Sequence, residues 1–484
     1  MNGPIRRLAL TIFVGLALLV ANVTYIQLAR GPDYRDDPRN PRVLLARSSK
    51  ERGTIVDRSG KILARSVQDP LAQGGFIRRY PQGADTVHAV GYSSLLFGDR
   101  GLERAYASEL RSKEDVTISD MVAALLGRDL RPQSLVSTID LDLQRIANER
   151  LEGLEGAVVA IDPTTGEIVA YVSHPDFDPA PLLDATSAPA GDALEADPDQ
   201  PLLDRVVAET YPPGSTFKII TLAAALENGI ATPETQFEDP VEFNLPGSTA
   251  VIRNFDRGTC GGGGEVGLAV AFARSCNTVF ADLGIQVGAD RMVQQAEAFG
   301  FGDPVPFIYD VVASTIPSAD NFTNNEAALG QSAIGQRDVR ATPLQMAQVA
   351  AAIANGGVAM QPQLVREIVD ADGSTLSTVE PVSGPRAVSE DTAAILTELM
   401  IDVVDNGTGR NAALAGLTVA GKTGTAETEV GPPHAWFVGF ATDGSRTLAI
   451  AVVVANGGSL GDEATGGSVA APIARSIFEE WSQQ

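Results

Sequence analysis

Residues Leu8 to Leu28 form a nearly uncharged apolar run of about 21 residues, preceded by Arg6 and Arg7. At about 1.5 Å per residue such a helix is roughly 31 Å long, enough to cross the hydrocarbon core of a bilayer. No small-x-small cleavage string follows it, since Ala21 has Leu19 two positions before it. The pattern therefore predicts a retained anchor rather than a cleaved leader. No second run of spanning length occurs. The expected layout is a cytoplasmic tail over residues 1–7, an anchor over 8–28 and a catalytic part outside the cytoplasm. Residues 31–45, rich in Pro, Arg and Asp, are predicted to be a juxtamembrane linker.

Beyond the linker the apolar positions change period. Thr54-Ile-Val56 and Lys61-Ile-Leu-Ala64 flank Asp57-Arg-Ser-Gly60, a hairpin pattern. Leu141, Leu143, Ile146, Leu151 and Leu154 recur at helical spacing, with Thr138 or Asp140 as the cap. Ala157–Ile161 and Ile168–Val172 around Asp162-Pro-Thr-Thr-Gly166 predict a second hairpin. Residues 176–200 have the Pro, Ala and Asp content of an extended loop. Ser215 to about Glu227 predicts a helix ending near Gly229, and residues 341–357 another, with Thr342 as cap and Pro343 in the first turn. Strand patterns follow at Leu417–Ala420, Ala435–Phe440 and Leu448–Ala455, and residues 468–482 close as a helix. Strands first, helices between, strands and a helix last predict an α+β fold, with one antiparallel sheet joining both ends of a domain over 151–484 and helices packed on it. Residues 29–150 are read as linker plus a small non-catalytic module of mixed structure.

Composition narrows the function. The net charge of −25 excludes a nucleic-acid binder, which needs a basic footprint. Two cysteines and three scattered histidines offer no metal-ligand spacing, so neither metal nor cofactor is expected. None of the histidines lies in a string tied to a nucleophile, which disfavours a Ser-His-Asp triad. Cys260 and Cys276 are 16 apart in a chain whose bulk is expected outside the cytoplasm. A disulfide is the expectation, and two buried free thiols the alternative.

Three strings carry chemistry: Ser215-Thr-Phe-Lys218, Ser275-Cys-Asn277 and Lys422-Thr-Gly-Thr425. Among 36 basic residues only five are lysines, and two of these stand in the strings. Lysine can lose its proton when desolvated and act as a base, whereas arginine effectively cannot. At a helix start Ser215 and Lys218 share a face, and the helix N-terminus favours negative charge developing near Ser215. Lys218 needs a depressed pKa to accept the serine proton; burial and the nearby Lys422 cation would both supply it, while Lys422 is expected to keep its charge. Ser275 can relay a proton and Asn277 can bond a substrate amide. An edge strand at Lys422–Thr425 could pair with an extended peptide while Lys422, Thr423 and Thr425 grip its carboxylate. Taken singly, the strings read as a capping serine with a surface lysine and as an ordinary turn.

Gly416 to Thr423 also fits the phosphate-loop spacing G-x4-G-K-[ST]. A phosphate loop needs a strand, a flexible loop and then a helix. Here Leu417–Ala420 is itself strand-like and no helix pattern follows, so a nucleotide site is rejected. Gly261-Gly-Gly-Gly264 is read as a flexible loop.

Together and in order, the three strings match the S-x-x-K, S-x-N and K-T-G set of penicillin-binding proteins and serine β-lactamases. Over nearly its whole length the chain resembles the class B penicillin-binding proteins, most closely their actinobacterial A-type members. Arg52-Gly-Thr-Ile-Val-Asp-Arg-Ser-Gly60 and Gly101-Leu-Glu-Arg104 are similar to the family's N-terminal strings. Tyr211-Pro-Pro-Gly-Ser-Thr-Phe-Lys218 is similar to its nucleophile string. Ser332-Ala-Ile-Gly-Gln336 and Ala341-Thr-Pro-Leu-Gln-Met346 resemble the segment after the second motif. The resemblance implies a serine β-lactamase/transpeptidase-like fold and a peptidoglycan D,D-transpeptidase that joins stem peptides and is acylated by β-lactam antibiotics. By position it implies Ser215 as nucleophile, Lys218 as base, Ser275 and Asn277 as relay and binding groups, and Lys422, Thr423, Gly424 and Thr425 as the substrate-binding strand. The oxyanion hole would be the backbone N–H groups of Ser215 and Thr425. Residues before 150 are too few for a glycosyltransferase module, which implies a lipid-II polymerase partner of the SEDS type in the membrane. The departure from the pattern is Cys276, which makes local rigidity depend on its redox state. A D,D-carboxypeptidase or β-lactamase is the alternative within enzymes. Glu326, which superficially resembles the water-activating glutamate of some β-lactamases, is read as structural. A non-enzymatic β-lactam sensor or scaffold is the alternative outside them.

Overall fold

The computed structural model describes residues 2–30, 50–69, 75–111, 131–183, 188–428 and 430–484. The linker expected at 31–45 lies outside the described residues. Helix α1 (Asn2–Tyr25) packs on no other helix or strand among the described residues; Gly3–Tyr25 is long and apolar enough to cross a membrane and none of it is buried. The helix starts at Asn2, so residues 2–7 of the expected tail form nearly two of its turns, with Pro4 in the first turn, where proline is compatible with a helix.

Strands β1 (Ile55–Val56), β2 (Ile62–Gln68) and β3 (Phe76–Arg79) pair antiparallel, and β4 (Ser134–Ser137) runs parallel to β1. The first hairpin turns because the Asp57 carboxylate accepts from the amides of Ser59 and Lys61, and Gly60 takes φ +89°. Two strands from far along the chain, Val365–Val369 and Thr375–Thr378, complete this six-stranded sheet beyond β4. Within the module the buried Glu103 carboxylate receives Arg78 at 2.6 Å, Arg52, and the Tyr80 hydroxyl at 3.0 Å. The two N-terminal strings thus meet in one ion-pair cluster.

Helix α2 (Leu141–Leu151) is capped by Asp140, which accepts from Asp142 and Leu143; Thr138 instead bonds the Ile168 and Gln363 carbonyls. The main sheet is antiparallel throughout. Its strands β5 (Gly156–Ile161), β6 (Ile168–His174), β7 (Thr418–Ala426), β8 (His434–Thr442) and β9 (Thr447–Val454) lie in the order β7-β8-β9-β5-β6. Ile450 opposite Ala160 marks where the last third of the chain joins the hairpin that opens the domain. Alternate residues face opposite layers. Val158, Ala160, Ile450 and Val452 pack on α2 and the C-terminal helix Ala471–Ser482. Ala157, Val159, Ala451 and Val453 join the larger core with the central helices. Burial on both faces is why these strands read as unbroken apolar runs.

Two local expectations are corrected. Residues 176–200 are not one extended loop: Ala180–Leu183 is a helical turn and Ala188–Glu195 a helix. The Ala-rich stretch starts with Pro189 in its first turn, where proline is compatible with a helix. The helix expected from Ser215 begins with a tighter 3₁₀ turn over Gly214–Phe217, and regular α geometry starts at Lys218. The glycine run 261–264 wraps a carboxylate of its own chain: Asp239 accepts from the amides of Cys260, Gly261 and Gly263 at 2.6–3.0 Å. Burial opposes the charge, yet these amides hold the Asp239 carboxyl below its usual range.

Candidate active site

Three segments bring the motifs together. The Tyr211 string is clamped to Ala341 by reciprocal backbone hydrogen bonds of 3.0 and 2.9 Å, which tie the nucleophile turn to the 341–346 string. Gly214 has φ +53°, and its amide donates to the Gly335 carbonyl at 2.9 Å. A Cβ on Gly335, itself at φ +72°, would stand 2.0 Å from the Gly214 oxygen. A Cβ on Gly424 would meet the Pro213 oxygen at 2.7 Å. Glycine at these positions lets the nucleophile turn press against both β7 and the 332–336 segment. Trp436 of β8 completes the clamp by donating to the Pro212 carbonyl at 3.0 Å.

Ser215 lies in the first turn of its helix, where backbone N–H groups have no intrahelical acceptor. Its hydroxyl makes no hydrogen bond among the described residues. Lys218 is fully buried, and its Nζ donates to the Asn277 Oδ1 and the Ser275 carbonyl at 2.7 Å each, with the Ser275 Oγ at 3.2 Å. Burial, and then the charge of Lys422, push its pKa well below that of an ordinary lysine. The second string therefore folds around the first string's lysine.

That second string is strained and held. Ser275 has φ +62°, a left-handed conformation that costs a non-glycine residue about 1–2 kcal/mol. Its amide donates to Phe272, that of Cys276 to Ala271, and a disulfide joins Cys276 to Cys260. The helix that follows, Asn277–Val287, has no cap of its own. Asn254 supplies one from another loop: its Oδ1 accepts from the amides of Asn277 at 2.8 Å and Thr278 at 3.2 Å. The Asn277 side-chain amide donates to the Arg253 carbonyl, so that side chain is fixed at both ends.

The third string lies on β7, the edge strand of the main sheet. Lys422 is fully buried, its Nζ 3.2 Å from the Thr423 carbonyl and over the Phe272 ring at 5.6 Å. Lys218 lies at the same distance over Phe280, and the two rings touch with centroids 5.7 Å apart. Each lysine thus rests on one ring of an aromatic pair, which offers a cation partial compensation for lost water. The compensation is incomplete: burial lowers the Lys422 pKa to about 7. An incoming carboxylate would favour the charged form of Lys422. Thr423 pairs its hydroxyl with that of Thr408 at 2.5 Å, and Thr425 is the more open of the two threonines.

The structure brings Ser215, Lys218, Ser275, Asn277, Lys422 and the Thr423–Thr425 strand to one place. Sequence reasoning missed Asn254, Phe272, Phe280 and Thr408. Thr408 had a faint signal in the turn-like Asn406-Gly-Thr-Gly409, and Asn254 had none. No histidine joins the cluster: His174 bonds the Leu154 carbonyl, His434 accepts the Asn456 amide, and His88 lies in the N-terminal module. Glu326 is exposed on the first turn of its helix, beside the cap Asn325. The arrangement suits acyl transfer: a nucleophile at a helix start, a desolvated lysine positioned by two polar partners, and an edge strand with a carboxylate-seeking cation.

The Penicillin binding protein transpeptidase domain family matches residues 156–479, and the Penicillin binding protein A dimerisation domain family matches residues 52–135. A peptidoglycan D,D-transpeptidase PbpA from Mycolicibacterium smegmatis is 43% identical over 493 residues, 99% of this chain and 98% of its own. PbpA from Mycobacterium tuberculosis is 40% identical over 494 residues, covering 99% of each chain. The solved structure of penicillin-binding protein A from M. tuberculosis in its penicillin G acyl-enzyme complex superposes with a TM-score of 0.82 at 39% identity, covering 90% of this chain and 100% of that one.

Proposed function

This chain belongs to the penicillin-binding protein transpeptidase family and is a peptidoglycan D,D-transpeptidase that β-lactams acylate, and we propose that Ser215 is its nucleophile and Lys218 its base. The observation that carries this assignment is the buried Lys218, which makes no ion pair among the described residues and whose Nζ is held 2.7 Å from Asn277 and 3.2 Å from the Ser275 hydroxyl. Neutral Lys218 takes the Ser215 proton as Oγ attacks the carbonyl carbon of the penultimate D-Ala. The carbonyl oxygen becomes an oxyanion facing the N–H groups of Ser215 and Thr425, which act as the oxyanion hole. Ser275 passes the proton to the leaving nitrogen, the peptide bond breaks, and free D-Ala departs. An amine of a second stem then attacks the ester, its proton returns through the same groups to Ser215, and a cross-link remains. Lys422, Thr423 and Thr425 hold the terminal carboxylate while the edge strand pairs with the stem.

The anchor at 8–28 keeps the catalytic domain, residues 151–484, outside the cytoplasm, with 29–150 as linker and module. The chain forms cross-links on glycan strands made by a separate lipid-II polymerase of the SEDS type. Full-length protein treated with labelled penicillin should carry one adduct, on the peptide that holds Ser215. An adduct that survives Ser215→Ala would overturn the assignment. With a pentapeptide donor and an added amine acceptor, cross-linked product should accompany D-Ala release; hydrolysed tetrapeptide alone would favour the carboxypeptidase reading.

A further inference from the structure

A cavity of about 460 Å³, lined by none of the motif residues, lies where the N-terminal module meets the catalytic domain. One wall is the module segment Val87–Ala105; the others are Phe177, Leu202–Ala208 and Ile308–Asp310. Its volume falls in the range of sites that enclose small molecules, about 300–1,000 Å³.

The lining is divided by chemistry. Phe177, Leu202, Val207 and Ile308 supply an apolar floor, and Leu202 and Ile308 are left 37% and 38% exposed, which is unusual for large aliphatic side chains in a concavity. Arg100, the extended residue that precedes the short helix Gly101–Ala105, and Arg104 within that helix also line the cavity. Both are exposed and neither has a carboxylate partner among the described residues, in a chain whose net charge is −25. The Arg100 side chain lies beside the Tyr92 hydroxyl, and its backbone amide donates to the Tyr92 carbonyl at 2.8 Å. His88 is among the lining residues, and its Nε2 is buried without a hydrogen-bond partner among the described residues. A buried polar atom left unpaired costs about 1–3 kcal/mol and marks a place where a ligand could satisfy it. Two acidic groups also line the space. Asp204 is engaged by the Tyr171 hydroxyl at 2.6 Å and the Val206 amide, and Asp310 is exposed at the rim.

We propose that this cavity is a binding site for a small amphipathic anion, a single carboxylate or phosphate on an apolar body, with Arg100 and Arg104 gripping the anion and Phe177, Leu202 and Ile308 enclosing the body. Paired guanidinium forks suit either oxyanion.

The test uses full-length protein in detergent, first acylated with penicillin G so that the active site takes no part. Equilibrium dialysis against protein-free detergent measures binding of 4-phenylbutyrate, 4-phenylbutyl phosphate and inorganic phosphate. One molecule of phenylbutyrate or phenylbutyl phosphate should bind per chain, and the tighter of the two identifies a carboxylate or a phosphate source. The double variant Arg100→Gln/Arg104→Gln should weaken binding at least tenfold, and Val207→Trp, which fills the floor, should do the same while still accepting penicillin. Absence of binding by both organic probes, binding unchanged in both variants, or equal binding of inorganic phosphate would overturn the proposal.

Discussion

Asn254 offers the sharpest test of how the site is assembled. It is 5% exposed, and its Oδ1 accepts from the first two amides of the helix that begins at Asn277. Asn254→Ala leaves both donors unpaired. Loss of a cap costs about 1 kcal/mol, and a buried unsatisfied donor about 1–3 kcal/mol, so a destabilisation of about 2–3 kcal/mol is expected. Because Asn277 also receives Lys218, part of that loss reaches the reacting groups; each 1.4 kcal/mol or so slows acylation about tenfold. Asn254→Asp separates the two effects. It keeps the acceptor, so the melting temperature should recover toward that of the parent, with some loss because the bond to the Gly258 carbonyl is gone. It also places a negative charge two hydrogen bonds from the Lys218 ammonium. Opposite charges roughly 5–10 Å apart at an effective dielectric of ~20 interact by about 2–3 kcal/mol, on the order of one to two pH units. The charged, inactive form of Lys218 is favoured, so the acid limb of the acylation profile moves to higher pH. Stopped-flow acylation by a chromogenic β-lactam, with thermal unfolding in parallel, measures both. The reasoning fails if Asn254→Ala changes neither quantity, or if Asn254→Asp melts as low as the alanine variant.

Three further expectations follow from the same contacts. Lys218 acts when neutral and Lys422 when charged, so the second-order acylation rate should rise through the lowered Lys218 pKa and fall above about 7, where free Lys422 deprotonates; a β-lactam ester lacking the carboxylate should lose the alkaline fall, and a profile identical for acid and ester would contradict the role of Lys422. Gly335→Ala puts a Cβ 2.0 Å from the Gly214 oxygen at a positive φ and should cost about 3 kcal/mol or more and abolish penicillin labelling, whereas Gly229→Ala, at φ +64° but in open space, should cost only about 1–2 kcal/mol and label normally. Glu103→Gln leaves Arg78 without its counter-charge and Arg52 with Asp99 at 3.4 Å in place of two carboxylates, and should destabilise the N-terminal module by about 3–5 kcal/mol. Burial opposes the Glu103 charge but Arg78 and Arg52 lower its pKa overall, so the stabilisation it provides is present above the ordinary carboxylate pKa and is lost as pH falls through the depressed value; thermal unfolding of parent and variant should converge at low pH, and a constant gap would contradict the pairing.

Local periodicity made much of this fold readable. The hairpins at 54–64 and 157–172, the capped helices at 141 and 343 and the strand carrying Lys422 are each encoded within about 20 residues, by alternation, turn residues and caps. Where local signals conflicted, reading failed: residues 188–195 have a loop-like composition but sit in a helix, and Ser215 lies within a 3₁₀ turn that starts at Gly214. Asn254 caps a helix 23 residues later, and Thr408 meets Thr423 across 15 residues. Val365–Val369 pairs with a strand some 230 residues earlier, with Val365 opposite Ser137. No periodicity within a segment can encode such pairings, because each depends on where other segments pack.

The chemistry divides in the same way. Spacing alone placed Ser215 and Lys218 on one helical face and kept lysine, rather than arginine, at two positions, because the groups that react must come in a particular order and type. Whether those lysines can act is a matter of solvation. Burial beneath Asn277 and against the Phe272–Phe280 pair strips water from Lys218 and Lys422, and that depends on distant segments closing over them. The residue types were written in the chain; their protonation states came from the packing.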